Sequence, residues 1–353
     1  MICCHNGTAR LPATLARLAA QETPPQLQWD VVLVDNASTD ETAACARHHW
    51  PANHRAELRV VREPQLGVAH ARTRGIEAAK YELISFVDDD NWLRPDWLAR
   101  SAAVMDQRPE VGAMAGRNKP VCEGIAPPWL NQHANWYALA LANDSYGDVT
   151  ERPGFVYSAG MTLRKAAWLE LVDCGFGFAT MGRQGSILSA GPDIELCLAL
   201  RLAGWRLWRE RDLELQHFLP APRLQWSYLK RLVRTAGMAA PLLDPYLFAL
   251  KSPDQLDGAS ARTMRAPDWR RRALALGRKI LGRPYTLIAS RLFALEGNHR
   301  VIRLEHHIGE LTRIVAMRGG YDSAVRRFLD SPVRQALDQL KGAKERARSA
   351  SSS

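Results

Sequence analysis

The sequence predicts an α/β fold, a mainly parallel central sheet with flanking helices, followed by a basic α-helical extension. Three observations carry this. Short β-branched runs alternate with helix-like segments through the first hundred residues, and 46% of the 353 residues are hydrophobic, enough for a substantial core. The charge is also divided: residues 1–220 carry 22 Lys+Arg against 26 Asp+Glu, and residues 221–353 carry 25 against 11. A basic C-terminal third on a nearly neutral body implies a part that meets something anionic. The composition excludes a disordered or collagen-like chain.

The elements follow in order. Asp30 to Asp35 reads as a buried strand, closed by the turn cluster Asn36 to Asp40 and the helix-like Glu41 to His49, with Ser38 or Thr39 available as cap. Leu58 to Arg62 is a strand, Val68 to Lys80 a helix and Glu82 to Val87 a strand. Pro95 to Gln107 is a helix with proline in its first turn. Such alternation makes a mainly parallel sheet, whose ligands sit beyond the carboxyl ends of the strands. Past Pro220 long helical patterns take over at Trp226 to Ala239, Asp268 to Leu281 and His299 to Met317. The expected organisation is a body over 1–220, divided at about residue 118, a basic helical extension over 221–340, and a disordered tail from Lys341 to Ser353, which lacks an apolar face.

No stretch approaches the roughly 18 apolar residues of a membrane span, and the apolar run before His5 is too short for a signal peptide, so a cytoplasmic protein is expected. The six cysteines show no C-x-x-C spacing, which predicts free thiols rather than zinc or disulfides.

The chemistry concentrates at Asp88-Asp89-Asp90, three carboxylates closing an apolar strand. A compact fold tolerates them either fully solvated or holding a hard divalent cation, and their place after a buried strand favours the cation. Strand alternation would point Asp88 and Asp90 one way and Asp89 the other. Asp35, also closing a strand, suits hydrogen bonds to a base or ribose, or a simple Asx turn. Arg72 can approach a phosphate or base from that edge, or stand solvated on its helix.

Taken together, Ile2 to Gly7, Leu15 to Gln21, Val34 to Asp40, Gly67 to Arg72 and Phe86 to Asp90 resemble the nucleotide-binding half of the family 2 glycosyltransferases, of bacterial polysaccharide-biosynthesis type. Ser158 to Arg164 and Gly191 to Cys197 resemble that family's acceptor half. The resemblance covers about residues 1–220 and implies a GT-A fold and an inverting, metal-dependent transfer of a sugar from a nucleoside-diphosphate donor to a glycan or lipid-linked acceptor. It implies that Cys4, His5, Asn6 and Asp35 cradle the base, with Arg72 near base or diphosphate. Asp88 would face ribose and metal, and Asp90 would ligate Mg²⁺ or Mn²⁺ in the DXD motif. His217 matches a further metal-ligand position, otherwise an ordinary core or surface histidine, and Asp193 matches the catalytic base. Glu195 is the reserve base or a capping or solvated residue.

Pro192 stands where the family usually has a carboxylate, so a catalytically impaired assembly subunit that binds the donor is the alternative. Trp129, Trp136 and Tyr137 offer aromatic faces for an acceptor sugar, or pack in the core. The cationic segment Trp269 to Leu281 suits an anionic membrane surface, or packing on the body. No recognition motif for nucleic acid accompanies it.

Overall fold

The computed structural model describes residues 1–139, 145–183, 191–250, 267–282 and 296–351. Three short strands, β1 (Ile2–Cys4), β2 (Val31–Asn36) and β3 (Leu58–Glu63), pair in parallel in the order β1-β2-β3. Helices α1 (Leu11–Ala19), α2 (Thr42–His49) and α3 (Val68–Ala78) make the crossovers. The uninterrupted apolar run in β2 is explained by burial on both faces. Leu33 packs with Leu11 and Leu15 of α1, while Val32 and Val34 pack with Ala71 of α3.

A second, six-stranded sheet contains β4 (Leu83–Ser85), β5 (Asn91–Leu93), β6 (Val111–Cys122), β7 (Gly147–Asp148), β8 (Thr162–Arg164) and β9 (Arg206–Leu219). It runs β4-β8-β6-β9-β5, with β7 also on β9. A parallel bridge between Ile2 and Val87 joins the two sheets directly before the acidic triplet. The parallel expectation holds for the first sheet and for β6 with β9, but β8 and β5 run antiparallel to their neighbours. Only a crossover returns a chain in the same direction. β5 instead follows β4 through the turn at 86–90 and β8 follows the irregular stretch 149–161, and each is three residues long, too short for a periodic signal.

Helix α4 (Trp97–Asp106) follows β5, and α5 (Lys165–Asp173) and α6 (Pro192–Leu202) cover the second sheet. Beyond β9 come α7 (Trp226–Leu250), α8 (Trp269–Leu281), α9 (His299–Met317), α10 (Gly319–Leu329) and α11 (Pro332–Ser351). Helix α7 runs past its expected end at Ala239, through Pro241 and Pro245, because Leu243, Tyr246 and Ala249 are buried in the main core. Tertiary packing overrides the local proline penalty there. Helices α7 and α9 cross with their backbones in contact: a Cβ on Gly237 would lie 2.1 Å from the His306 carbonyl oxygen, and one on Gly309 would lie 1.9 Å from that of Arg234.

The expected disorder from Lys341 is corrected: residues 341–351 continue α11. The segment is held by charge rather than by an apolar face. Lys344 Nζ meets Glu170 at 2.6 Å and lies over the Trp205 ring, and Arg348 donates to the Gly204 carbonyl just beyond the end of α6. In α8, Leu276 packs with Ile314 of α9 and Tyr321 and Val325 of α10, so its apolar face is turned onto the other helices of the C-terminal layer. Among the described residues no helix is long and apolar enough to cross a membrane.

Candidate active site

The carboxyl ends of β1 and β2 and the turn after β4 open onto one cleft of about 590 Å³. Cys4, His5, Asn6, Arg72, Asp88, Asp90, Asp193 and His217 all line it, gathered from five separate stretches of chain. At the end of β1, His5 Nδ1 donates to the Asn36 carbonyl at 2.9 Å. Asn6 adopts a left-handed backbone (φ 52°), a conformation suited to an asparagine side chain that binds locally, and its Oδ1 accepts from Thr39 N at 2.8 Å. Ser38 and Thr39 therefore brace Asn6 and do not cap α2. Asp40 serves that helix end, accepting from the Thr42 amide at 3.1 Å.

Asp35 does not line the cleft. Its Oδ1 accepts from Ser38 N at 3.3 Å, the Asx-turn alternative, and the next residue, Asn36, reaches the cleft instead. One step along a strand changes the face, so Asp35 and Asn36 stand on opposite sides of β2. Asn36 is held by its own amide, which donates to the Glu63 and Gln65 carbonyls and accepts from Gly67 N. Arg72 is not solvated: it is buried on α3, its guanidinium 5.6 Å from the centre of the Phe86 ring.

The acidic triplet lies in the turn after β4 rather than on extended strand, so the expected alternation does not hold and Asp89 lines the cleft beside Asp88 and Asp90. Asp89 accepts from Arg10 Nη2 at 2.6 Å and from the Cys4 thiol at 3.5 Å. Asp90 is 3% exposed, with His217 Nε2 3.5 Å from its Oδ1 and Arg223 Nη1 2.7 Å from its Oδ2. Burial pushes the Asp90 carboxyl up, but His217 and Arg223 outweigh it and hold it well below the usual carboxylate range. Among the described residues Asp88 makes no ion pair. Burial, and then the neighbouring Asp90, push it up to about 6, and the more distant charges of Arg72 and His217 offset this only in part.

Register explains the His217 contact, since β5 pairs Asn91 with His217 and so sets the histidine beside the preceding aspartate. Among the described residues its buried Nδ1 has no hydrogen-bond partner. Two carboxylates and an unsatisfied imidazole nitrogen are donors that suit Mg²⁺ or Mn²⁺. The positive charge now at Asp90 is Arg223. Among the described residues, three ligand atoms gather within 4.8 Å only at His306, His307 and Glu310 on α9, where Glu310 is also paired with Arg272.

Asp193 is the second residue of α6, and its Oδ1 accepts the Ile194 amide at 3.0 Å. Pro192 occupies the first turn, where no backbone donor is needed, so it starts the helix rather than disturbing it. Glu195 is neither solvated nor in the cleft. It is fully buried and accepts from the Ala179 and Thr180 amides at 2.8 Å, from the Thr180 hydroxyl and from Tyr246 Oη. Of the three aromatic candidates, Trp136 and Tyr137 line the cleft, whereas Trp129 packs edge-on against Trp226. Sequence reasoning missed Arg10, Asn36, Arg183, Arg223 and Tyr228. Arg223 and Asp90 are 133 residues apart, and no short motif links them.

A three-stranded parallel sheet joined at an acidic rim to a mixed sheet defines a GT-A fold. The solved mannosyltransferase PcManGT from Pyrobaculum calidifontis, in complex with GDP-Man and Mn²⁺, shares it at a TM-score of 0.51 and 18% identity, over 90% of this chain and 85% of that one. Residues 1–173 match Glycosyl transferase family 2, so the chain carries a family 2 glycosyltransferase domain. An uncharacterized glycosyltransferase of Mycobacterium tuberculosis is 32% identical over 127 residues, 36% of this chain and 50% of that protein. The glucosyl-dolichyl phosphate glucuronosyltransferase of Haloferax volcanii is 20% identical over 164 residues, 46% of this chain and 51% of that protein. The chain thus spans about half the length of these curated relatives.

Proposed function

We propose that the protein is an inverting, metal-dependent glycosyltransferase that moves a sugar from a nucleoside-diphosphate donor to a glycan or lipid-linked saccharide. The observation that carries this is one cleft holding both the Asp88 and Asp90 rim and, on a separate helix, the Asp193 carboxylate. His5, Asn6, Asn36 and Arg72 form the end suited to the nucleotide. Asp193 takes the proton of the acceptor hydroxyl as its oxygen bonds to the anomeric carbon. The bond from that carbon to the phosphate oxygen breaks on the opposite side, and the nucleoside diphosphate leaves with the electron pair. Asp88, Asp90 and His217 would hold Mg²⁺ or Mn²⁺, which when bound neutralises charge on the leaving diphosphate. The complex of the neighbouring mannosyltransferase with GDP-Man and Mn²⁺ supports that choice.

Residues 1–220 are read as the transferase body and 221–351 as a helical layer that completes the cleft, since Arg223, Tyr228 and Leu232 line it. A lipid-linked acceptor is supported by the archaeal relative, whose name specifies a dolichyl phosphate. It is also supported by the outer face of α8, where Arg270, Arg271, Leu274, Arg278 and Lys279 are exposed, a face suited to peripheral docking on the cytoplasmic side of an anionic membrane.

The test is a donor screen by nucleotide release, with Mn²⁺ and with chelator, on the wild type, Asp90→Asn and Asp193→Asn. Either substitution should lower turnover by about 10²–10⁴-fold. Unchanged turnover in Asp193→Asn, or full activity in chelator, overturns the assignment. Donor binding without transfer to any acceptor leaves the assembly-subunit reading.

A further inference from the structure

We propose that Arg223 is a resident counter-charge that exchanges Asp90 for the donor's diphosphate, so that divalent ion and nucleotide bind cooperatively through it. The inference rests on the reading that the diphosphate enters this cleft. Both oxygens of Asp90 are engaged as it stands: Oδ1 by His217 and by the Asn91 side-chain amide at 3.1 Å, and Oδ2 by Arg223. A carboxylate this buried is strongly destabilised when its partner is removed, because an uncompensated charge then stays out of water. Either the guanidinium or another cation therefore sits on it, and the two compete for one oxygen.

The guanidinium has somewhere to go. Arg223 lines the cleft with a side chain 17% exposed, so it reaches the space a ligand would fill. Its main chain is fixed independently, because its carbonyl accepts from Tyr137 Oη at 2.8 Å and its amide donates to the Pro220 carbonyl. The head group can move while the backbone stays. Displaced from Asp90, the planar fork of N–H donors faces a phosphate, the anion it matches best. An ion arriving alone must expel Arg223 from Asp90 without a diphosphate to receive its fork of donors, and it competes with the guanidinium for the remaining carboxylates of the cleft, Asp88, Asp89 and Asp193. An ion arriving with a diphosphate meets no such cost.

Mn²⁺ affinity is read from the free-ion electron paramagnetic resonance signal of the full chain, without nucleotide and with UDP or GDP as probes. In Arg223→Gln, Mn²⁺ alone should bind about tenfold tighter, while the factor by which UDP or GDP tightens it shrinks at least about tenfold. Arg223→Lys keeps a charge without the fork and should fall between, which also covers misfolding of the glutamine variant. Unchanged Mn²⁺ affinity without nucleotide in both variants, or unchanged coupling, overturns the proposal. Asp90→Asn separates the two levels. If it binds Mn²⁺ as the wild type does, the metal reading fails and the exchange with it. If it loses the ion while both Arg223 variants match the wild type, only the exchange fails.

Discussion

Two buried acidic regions lie close in sequence logic and far apart in design: the rim at Asp88 to Asp90 and the clamp at Glu195. Glu195 takes its hydrogen bonds from main-chain amides, a threonine hydroxyl and a tyrosine, donors that belong to the fold and have no other use. Asp90 is satisfied by Arg223 and His217 from distant segments and by the neighbouring Asn91 amide, and among the described residues Asp88 makes no ion pair. A carboxylate held by fixed dipoles fastens a loop, whereas one held by exchangeable charges leaves a place for a ligand. The pattern of partners, more than depth of burial, separates structural from functional acids here.

The comparison breaks first at Glu195. Glu195→Ala should unfold in urea with a loss of about 3–5 kcal/mol, because the 179–180 amides and Tyr246 lose their common acceptor. A loss of activity at unchanged stability would instead place Glu195 with the rim.

Asp88 should respond in the opposite sense. With its carboxyl pushed up to about 6 from an ordinary 3.8, the folded chain keeps a proton that the unfolded chain releases between about pH 4 and 6. The penalty of this group is absent below that window and complete above it. Asp88→Asn should therefore raise metal-free stability by about 1–3 kcal/mol at pH 8 and change it little at pH 4. Equal shifts in urea midpoint at both values would sink the idea of an uncompensated charge. The smallest effect is expected from Tyr246→Phe, about 1 kcal/mol, since three donors to Glu195 remain. A larger loss would show the tyrosine, not the amides, to be the main support.

Much of this was legible locally. The apolar run at Val31 to Val34, the helices after it and the triplet after Val87 are each encoded within a few residues, so alternation and strand ends revealed the three-stranded sheet and the acidic rim. What failed needed information from elsewhere in the chain. β5 and β8 take their direction from partners rather than from their three residues. The pairing of Arg223 with Asp90 and the clamp by Glu195 exist only once the chain has closed, and the terminal helix is stabilised by Glu170 and Gly204, more than a hundred residues away.

The touching backbones of α7 and α9 have a mechanical meaning. With glycine at both crossing points, no side-chain layer separates the two helices to act as a lubricant, so they slide or tilt only as a unit. Tyr228 and Leu232 ride on α7, and His306 on α9 lies against the Trp136 ring, so the far wall of the cleft is geared to the whole helical layer. Whatever settles against those helices therefore sets the width of the cleft's mouth.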